Sequence, residues 1–390
     1  MKNTQPPSLI ILCLISIIGN FSLNIIVPAL PLIASTLNVS SSDSHLLYST
    51  YLLFVAIGQI VMGWLSDRQG RLKLLKIGLF IYTCGCILSL FAESLNDLIV
   101  SRSFQGFGAS VGLLFSRSII IDSYKIKQAR QKLSLLTSIN ASAPVLAPIA
   151  GELISRVYGW EGIFFTLAIL GTGLLFAAEH LSPIKSLAKP KLNKVTRSKS
   201  AIVFSKVIIY YALYHTILGA IYFTLYSTLP AVINIKQLTE NSDYNTYYVL
   251  VASSIAFGGY LSMKSSHHLE GKNLIIVGGV ICVLSEILML ALTSQAPLMI
   301  FSLLGLYAFG RAIVAPNLIA LVLEENRDYS STVSSILGSS QLLAASIISQ
   351  LMAMRLESGL ADFKEGLLLA TGLQIALLIV IVKYQRLTSP

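Results

Sequence analysis

The sequence predicts an all-α integral membrane protein of twelve transmembrane helices arranged as two six-helix repeats. Three observations carry this. Hydrophobic residues make up 54% of the 390-residue chain and charged residues only 12%, where a soluble domain carries about 25% charged residues; mean hydropathy is +0.74. Apolar runs of bilayer-spanning length, about 20 residues, follow one another from end to end and leave no room for a sizeable soluble domain. Short motifs return in the second half at offsets of 196 to 202 residues: Gly63-Trp64-Leu65-Ser66-Asp67-Arg68 as Gly259-Tyr260-Leu261-Ser262-Met263-Lys264, Leu30-Pro31 as Leu229-Pro230, and Gly106-Phe107-Gly108-Ala109 as Ala308-Phe309-Gly310-Arg311. Parallel repeats of this kind place a site at their interface.

The spans are expected at about 8–34, 44–64, 74–92, 97–117, 131–155, 160–179, 204–234, 244–263, 273–293, 297–322, 330–354 and 365–383. A six-helix half at 1–180 and another at 204–390 flank a basic linker at 181–203, which carries Pro183 and Pro190. The first run, Leu9 to Ala34, is too long for the apolar part of a signal peptide and lacks a small-residue cleavage site, so it reads as a retained span. The net charge of +10 does not mark a nucleic-acid binder, because the basic residues form no single patch. Of the 28 Lys and Arg, 21 fall in the termini and the loops on their side, four in the opposite loops and three inside spans. Under the positive-inside rule that bias puts both termini in the cytoplasm. Glu324, Glu325 and Asp328 outnumber Arg327 in one loop, but acidic residues contribute little to orientation.

No enzyme constellation is present. There is no phosphate loop with Lys-Ser or Lys-Thr, and His267-His268 have no Cys or carboxylate at zinc-finger spacing. Cys13, Cys84, Cys86 and Cys282 all lie in apolar runs and read as small packing residues. No metal and no cofactor is expected.

The turn from Gly63 to Lys73 has the pattern Gly-x-Leu-x-Asp-Arg-x-Gly-Arg-x-Lys. It resembles the loop between helices 2 and 3 in the major facilitator superfamily of transporters. Gly63 and Gly70 permit close approach and a tight reversal, and Asp67 can neutralise a neighbouring helix end or arginine. With Arg68 and Arg71 these residues are expected to form a conformational latch, degraded in the second repeat where Met263 replaces the aspartate. Arg102-Ser103-Phe104-Gln105-Gly106-Phe107-Gly108 on span 4 resembles the superfamily's Arg-x-x-x-Gly-x-Gly motif. An arginine inside an apolar span costs about 2.5–3.5 kcal/mol and so faces a partner or water; the alternative is one that snorkels to the surface.

Span 5 carries Ala143-Pro144-Val145-Leu146-Ala147-Pro148-Ile149-Ala150-Gly151-Glu152, which resembles the Pro/Gly motif of the drug:proton antiporter branch and, in its Ala-Pro form, the Bcr/CflA subgroup. Pro144, Pro148 and Gly151 are read as a helix bend, with Glu152 where a second glycine is usual. Ser22-Leu23-Asn24-Ile25-Ile26-Val27-Pro28-Ala29-Leu30-Pro31 resembles that subgroup's span-1 signature, except that Asn24 stands in place of an Asp. An amide cannot titrate. Asn20, one turn earlier, shares its face and makes a polar ridge.

The substrate cavity is expected to use Asn20, Asn24, Arg102 and Gln105 from the first half, with Tyr211, Tyr214, His215, Tyr222 and Arg311 from the second. The span-7 aromatics, Tyr226 included, mostly share one face and suit a flat or amphipathic ligand. Arg102 and Arg311 would make the cavity positive and favour an anionic or carboxylate-bearing compound; the alternative for Arg311 is an ion pair with Glu286 or Glu152. His215, Glu152 and Glu286 are the candidates for proton coupling.

The resemblance implies a monomeric exporter in the lipid bilayer of the bacterial inner membrane, working by alternating access. It would move a drug or small metabolite, such as a carboxylate siderophore, in exchange for protons. One alternative is a facilitator or importer of the same fold without proton coupling. Another is a transport-inactive sensor or scaffold, against which the Asp67–Arg68 turn and the paired prolines speak.

Overall fold

A computed structural model describes residues 8–124, 126–181, 206–235, 244–265, 269–291, 297–325 and 330–388; among them, helix is the only regular structure. Nine segments among these residues are long and apolar enough to cross a bilayer. The chain divides into two compact units, 1–198 and 199–390. The linker expected at 181–203 lies, apart from Leu181, outside the described residues.

The first unit opens with α1 (Leu9–Asn24), a 3-10 turn at Val27–Ala29, and α2 (Leu30–Thr36). The single span expected at 8–34 is therefore broken. Pro28 and Pro31 lack the N–H groups that would serve the carbonyls of Asn24 and Val27 in an unbroken helix. α3 (Ser41–Gln69) starts at Ser40, whose hydroxyl accepts from the Asp43 amide at 3.0 Å, a standard N-cap. Only Gly70, at φ 85°, separates α3 from α4 (Arg71–Ser89). That left-handed backbone favours glycine, which lets the chain reverse in one residue. α5 (Leu95–Ser123) begins with a capping box between Ser94 and Asp97.

α6 (Ile126–Glu179) runs 54 residues and contains both spans expected at 131–155 and 160–179, divided at Gly159 with φ 71°. Pro144 and Pro148 lie within the helix, and the non-helical backbone falls at Gly159, between the two expected spans. The second unit holds α7 (Lys206–Ile235), α8 (Tyr244–Ser265), α9 (Gly271–Ala291), α10 (Pro297–Glu325), α11 (Ser330–Ser358) and α12 (Leu360–Thr388).

Small residues set the closest helix approaches, as expected where lipid competes with side chains for apolar contact. A Cβ on Gly108 of α5 would overlap Tyr82 and Gly78 of α4, and one on Gly106 would press on the Tyr51 carbonyl of α3. In the second unit Gly310 of α10 meets Gly278 and Cys282 of α9 in the same way, and Gly258 of α8 meets the Phe309 carbonyl. The motif repetition read from the sequence is thus a repetition of backbone contacts. α6 packs on α1, and Gly151 lies over the Ile25 carbonyl at the break in the first span.

Gly151→Val should force α6 away from that break, at a cost of about 1–3 kcal/mol. We expect the thermal midpoint of detergent-solubilised protein to fall by roughly 5 °C. Gly173→Val, at a glycine with nothing within 4 Å, should leave it unchanged.

Candidate functional site

Arg102 of the first unit and Arg311 of the second both lie within mainly apolar helices, and the two are held differently. In the first unit, Arg102 of α5 is 0% exposed. Its Nε donates to the Leu47 carbonyl of α3 at 3.2 Å, and its Nη1 to the Ser22 carbonyl of α1 at 3.3 Å and to Gln105 Oε1 at 2.8 Å. The guanidinium carbon sits 4.1 Å from the centre of the Tyr51 ring, a cation–π contact. Gln105 passes the connection on, donating to Ser89 Oγ at 2.7 Å and to the Gly85 carbonyl at 3.1 Å on α4. The Tyr51 hydroxyl donates to the Gly19 carbonyl at 2.9 Å.

Among the described residues no carboxylate pairs with Arg102. The Ser22 carbonyl belongs to the last turn of α1, where the break leaves acceptors without helical donors and the helix dipole is negative. One side chain therefore ties α1, α3 and α5 together, and through Gln105 it reaches α4. Arg102 and Gln105, expected to line a substrate cavity, are instead enclosed and directed at backbone. Full burial also excludes the snorkelling alternative.

The polar ridge on α1 is divided. Asn24 is buried and its amide folds back on the Asn20 carbonyl at 2.6 Å. Asn20 is half-buried and reaches Asn140 Oδ1 of α6 at 3.4 Å, and the Asn140 amide in turn reaches Ser16. Glu152 pairs with Arg156 one turn further along α6. In the expected latch, Arg71 donates to the Ser118 carbonyl of α5 at 3.3 Å. Gly63 lies on α3 near Leu114 of α5, and Gly70 makes the turn. The Asp67 and Arg68 side chains lie outside the described part of the structure. Lys76, five residues after Arg71 on α4, forms an ion pair with Glu179 of α6 at 2.6 Å.

In the second unit, Arg311 of α10 is half-buried. Its guanidinium carbon lies 4.7 Å from the centre of the Tyr222 ring and 5.7 Å from that of Phe223, both on α7. No carboxylate among the described residues pairs with it, and its Nε has no hydrogen-bond partner. His215, within electrostatic reach of Arg311, also has an unpartnered nitrogen, Nδ1, as does the Tyr222 hydroxyl. Of the alternative ion pairs for Arg311, the one with Glu286 is not formed. A guanidinium with unused donors, backed by an aromatic face and flanked by an imidazole and a phenol, is suited to a carboxylate, which it can grip in bidentate fashion.

Of the α7 aromatics expected mostly on one face, Tyr222 and Tyr226 pack on each other with ring centres 5.8 Å apart. Tyr214 packs against Gly279 of α9, Tyr222 lies under Arg311, and Tyr226 meets Tyr248 of α8 with ring centres 5.2 Å apart. Tyr211 is buried as well. Tyr307, which the sequence reading passed over, donates from its hydroxyl to the Leu218 carbonyl of α7 at 2.9 Å. The signal was present: Tyr307 stands 202 residues after Gln105, at the motif offset.

A family model described as Major Facilitator Superfamily matches residues 12–349. The chain is 25% identical over 353 residues to the uncharacterized MFS-type transporter YdgK of Bacillus subtilis, covering 88% of each. It is 27% identical over 244 residues to the multidrug resistance protein MdtL of Shigella dysenteriae, covering 60% of this chain and 62% of that protein. Among solved structures it is similar to a POT family transporter in complex with 5-aminolevulinic acid, with TM-score 0.77, 14% identity and coverage of 100% and 98%. It is also similar to a D-xylose-proton symporter, with TM-score 0.75, 16% identity and coverage of 95% and 96%. At those identities the structural likeness concerns the fold.

Arg102→Ala should strip donors from buried carbonyls and leave a cavity, while Arg102→Met removes the charge and keeps most of the volume. We expect Arg102→Ala to cost on the order of 3 kcal/mol and Arg102→Met clearly less, read as the order of thermal midpoints in detergent.

Proposed function

The chain belongs to the Major Facilitator Superfamily, and from that premise we propose that it exports a small organic anion, with a carboxylate siderophore as the model substrate, in exchange for protons. That it is a multi-pass membrane transporter and not an enzyme follows from the family. The Bcr/CflA-like branch, the bacterial inner membrane, cytoplasmic termini and a monomeric state complete the reading. Support comes from the Ala-Pro motif of span 5, from the distribution of Lys and Arg, and from relatives named as multidrug resistance proteins.

The observation that carries the substrate class is Arg311, half-buried on the Tyr222 ring and paired with no acid among the described residues. A cation kept unpaired in an apolar surround is costly, and a substrate carboxylate would offset that cost during transport. His215 and Tyr222 supply further polar contacts, and the Gly63 to Arg71 turn acts as the latch in alternating access. A second reading, an uncoupled facilitator or importer, rests on Asn24: span 1 offers an amide already bonded to its own helix, where the subgroup signature has a titratable acid.

Transport in proteoliposomes under an imposed pH gradient tests the proposal. A polycarboxylate siderophore should accumulate, and Arg311→Ala should slow its entry by at least about tenfold, given about 2–5 kcal/mol for removing one partner of a desolvated charge contact. Accumulation of ethidium with no movement of the carboxylate would contradict the anionic substrate. Asn24→Asp adds an acid where none titrates. It should steepen the pH dependence of the rate, and an unchanged profile would show that span 1 takes no part in coupling.

A further inference from the structure

A polar row with no exposure to solvent runs between α7, α9, α10 and α12. Gly279, Cys282 and Glu286 lie on one face of α9, at spacings of three and four residues. The Tyr214 hydroxyl of α7 packs at Gly279, and the Cys282 thiol donates to the Tyr307 carbonyl of α10 at 3.4 Å. The Tyr307 hydroxyl lies 3.3 Å from Gln374 Oε1 of α12, to which it donates alongside the Leu218 carbonyl. Thr371, one turn before Gln374, stands beside Glu286 and donates to its own helix at the Leu367 carbonyl, 2.8 Å away. Tyr214, Cys282, Glu286, Tyr307, Thr371 and Gln374 are each at most 2% exposed.

Four polar atoms in this row have no hydrogen-bond partner: both Glu286 carboxyl oxygens, the Tyr214 hydroxyl and Gln374 Nε2. Buried polar groups in native proteins are nearly always satisfied, and a carboxyl group with both oxygens unsatisfied calls for a reason. The titratable groups within electrostatic reach of Glu286 are Tyr214 of α7, Cys282 of its own helix and Tyr307 of α10; Arg311 of α10 reaches Cys282, and His215 of α7 lies by Arg311. Among the described residues no Lys or Arg forms an ion pair with Glu286, and the Lys364 ammonium of α12 donates to the Leu290 carbonyl, one turn along α9, at 3.3 Å.

We infer that Glu286 is a proton-binding site at one end of this enclosed row, and that its loading and unloading couples the proton gradient to movement of the substrate. The reasoning is electrostatic. An ionised carboxylate enclosed without a partner costs far more than a neutral acid, and such groups neutralise. A metal cation would neutralise it too, but it wants about six oxygen ligands, and the row offers few oxygens beyond the carboxylate. The chemistry is a single O–H bond made and broken: the proton comes from water on one side of the membrane and returns to water on the other. Tyr214, Thr371 and Gln374 supply hydroxyl and amide groups along the way. The coupling half of this inference rests on the transport reading above; proton binding at Glu286 does not.

Full-length protein in liposomes should show, in pH-jump infrared difference spectra, a protonated carboxylic C=O band that titrates in wild type and is missing in Glu286→Gln. Tyr214→Phe should keep the band and move its midpoint. In transport, the ratio of pH-driven uptake to counterflow of a citrate-based siderophore should fall at least tenfold in Glu286→Gln. Identical spectra for wild type and Glu286→Gln would overturn proton binding there, and so would a band that responds to sodium rather than to pH. An unchanged uptake-to-counterflow ratio would overturn coupling through Glu286. Wild-type protein that gives no siderophore counterflow would sink the substrate reading, while the infrared band still judges Glu286 by itself.

Discussion

The first unit depends on a cation buried without a counter-ion. Arg102 is enclosed completely, yet it faces carbonyls, an amide oxygen and an aromatic ring instead of an acid. Removing a charge from water is costly even when it is paired, so the arrangement needs strong acceptors. The break in the first span supplies one. A helix end carries roughly half a negative charge, and Pro28 and Pro31 place such an end inside the protein, where the Ser22 carbonyl can take a guanidinium N–H. The broken span and the buried arginine therefore account for each other. Gly151 allows α6 to cover the break closely enough to exclude water.

The second unit repeats the frame and changes the chemistry. At the motif offset of 202 residues Leu304 stands for Arg102, Tyr307 for Gln105 and Arg311 for Ala109. The carbonyls of Gly19 and Leu218, 199 residues apart, each accept a tyrosine hydroxyl at 2.9 Å, from Tyr51 of α3 in one unit and from Tyr307 of α10 in the other. Where the first unit uses its arginine as an internal tie, the second leaves one half-buried with donors unused. It also encloses an acid, Glu286, with no cation beside it. The first unit's arginine is thus pinned through Nε and Nη1, its Nη2 alone having no hydrogen-bond partner, while in the second unit the unsatisfied atoms include both oxygens of an enclosed acid.

Much of the fold could be read from the sequence, because bilayer-length apolar runs and glycine motifs report backbone geometry directly. The contacts of Gly108 with α4 and of Gly310 with α9 lie where the repeated motif put them. The side-chain roles were less legible. Hydrophobic periodicity assigns a residue to a face: Tyr222 and Tyr226 do stack along one face of α7 with ring centres 5.8 Å apart, but it does not say that Tyr214 packs at Gly279 of α9. Arg102 was expected beside substrate because its acceptors are backbone carbonyls, which no motif encodes. The reversal between the spans expected at 131–155 and 160–179 falls at Gly159, whose positive φ serves a turn that no motif marked. Asn24 was legible as a departure, but its bond to the Asn20 carbonyl was not.

The central claim is that the unpaired Arg311 holds a substrate carboxylate. Titration calorimetry of purified wild-type protein with a citrate-based siderophore, and separately with ethidium, tests it most directly. The account predicts saturable, salt-sensitive binding of the carboxylate that Arg311→Gln abolishes. Binding of ethidium alone, or carboxylate binding unaffected by Arg311→Gln, would contradict it.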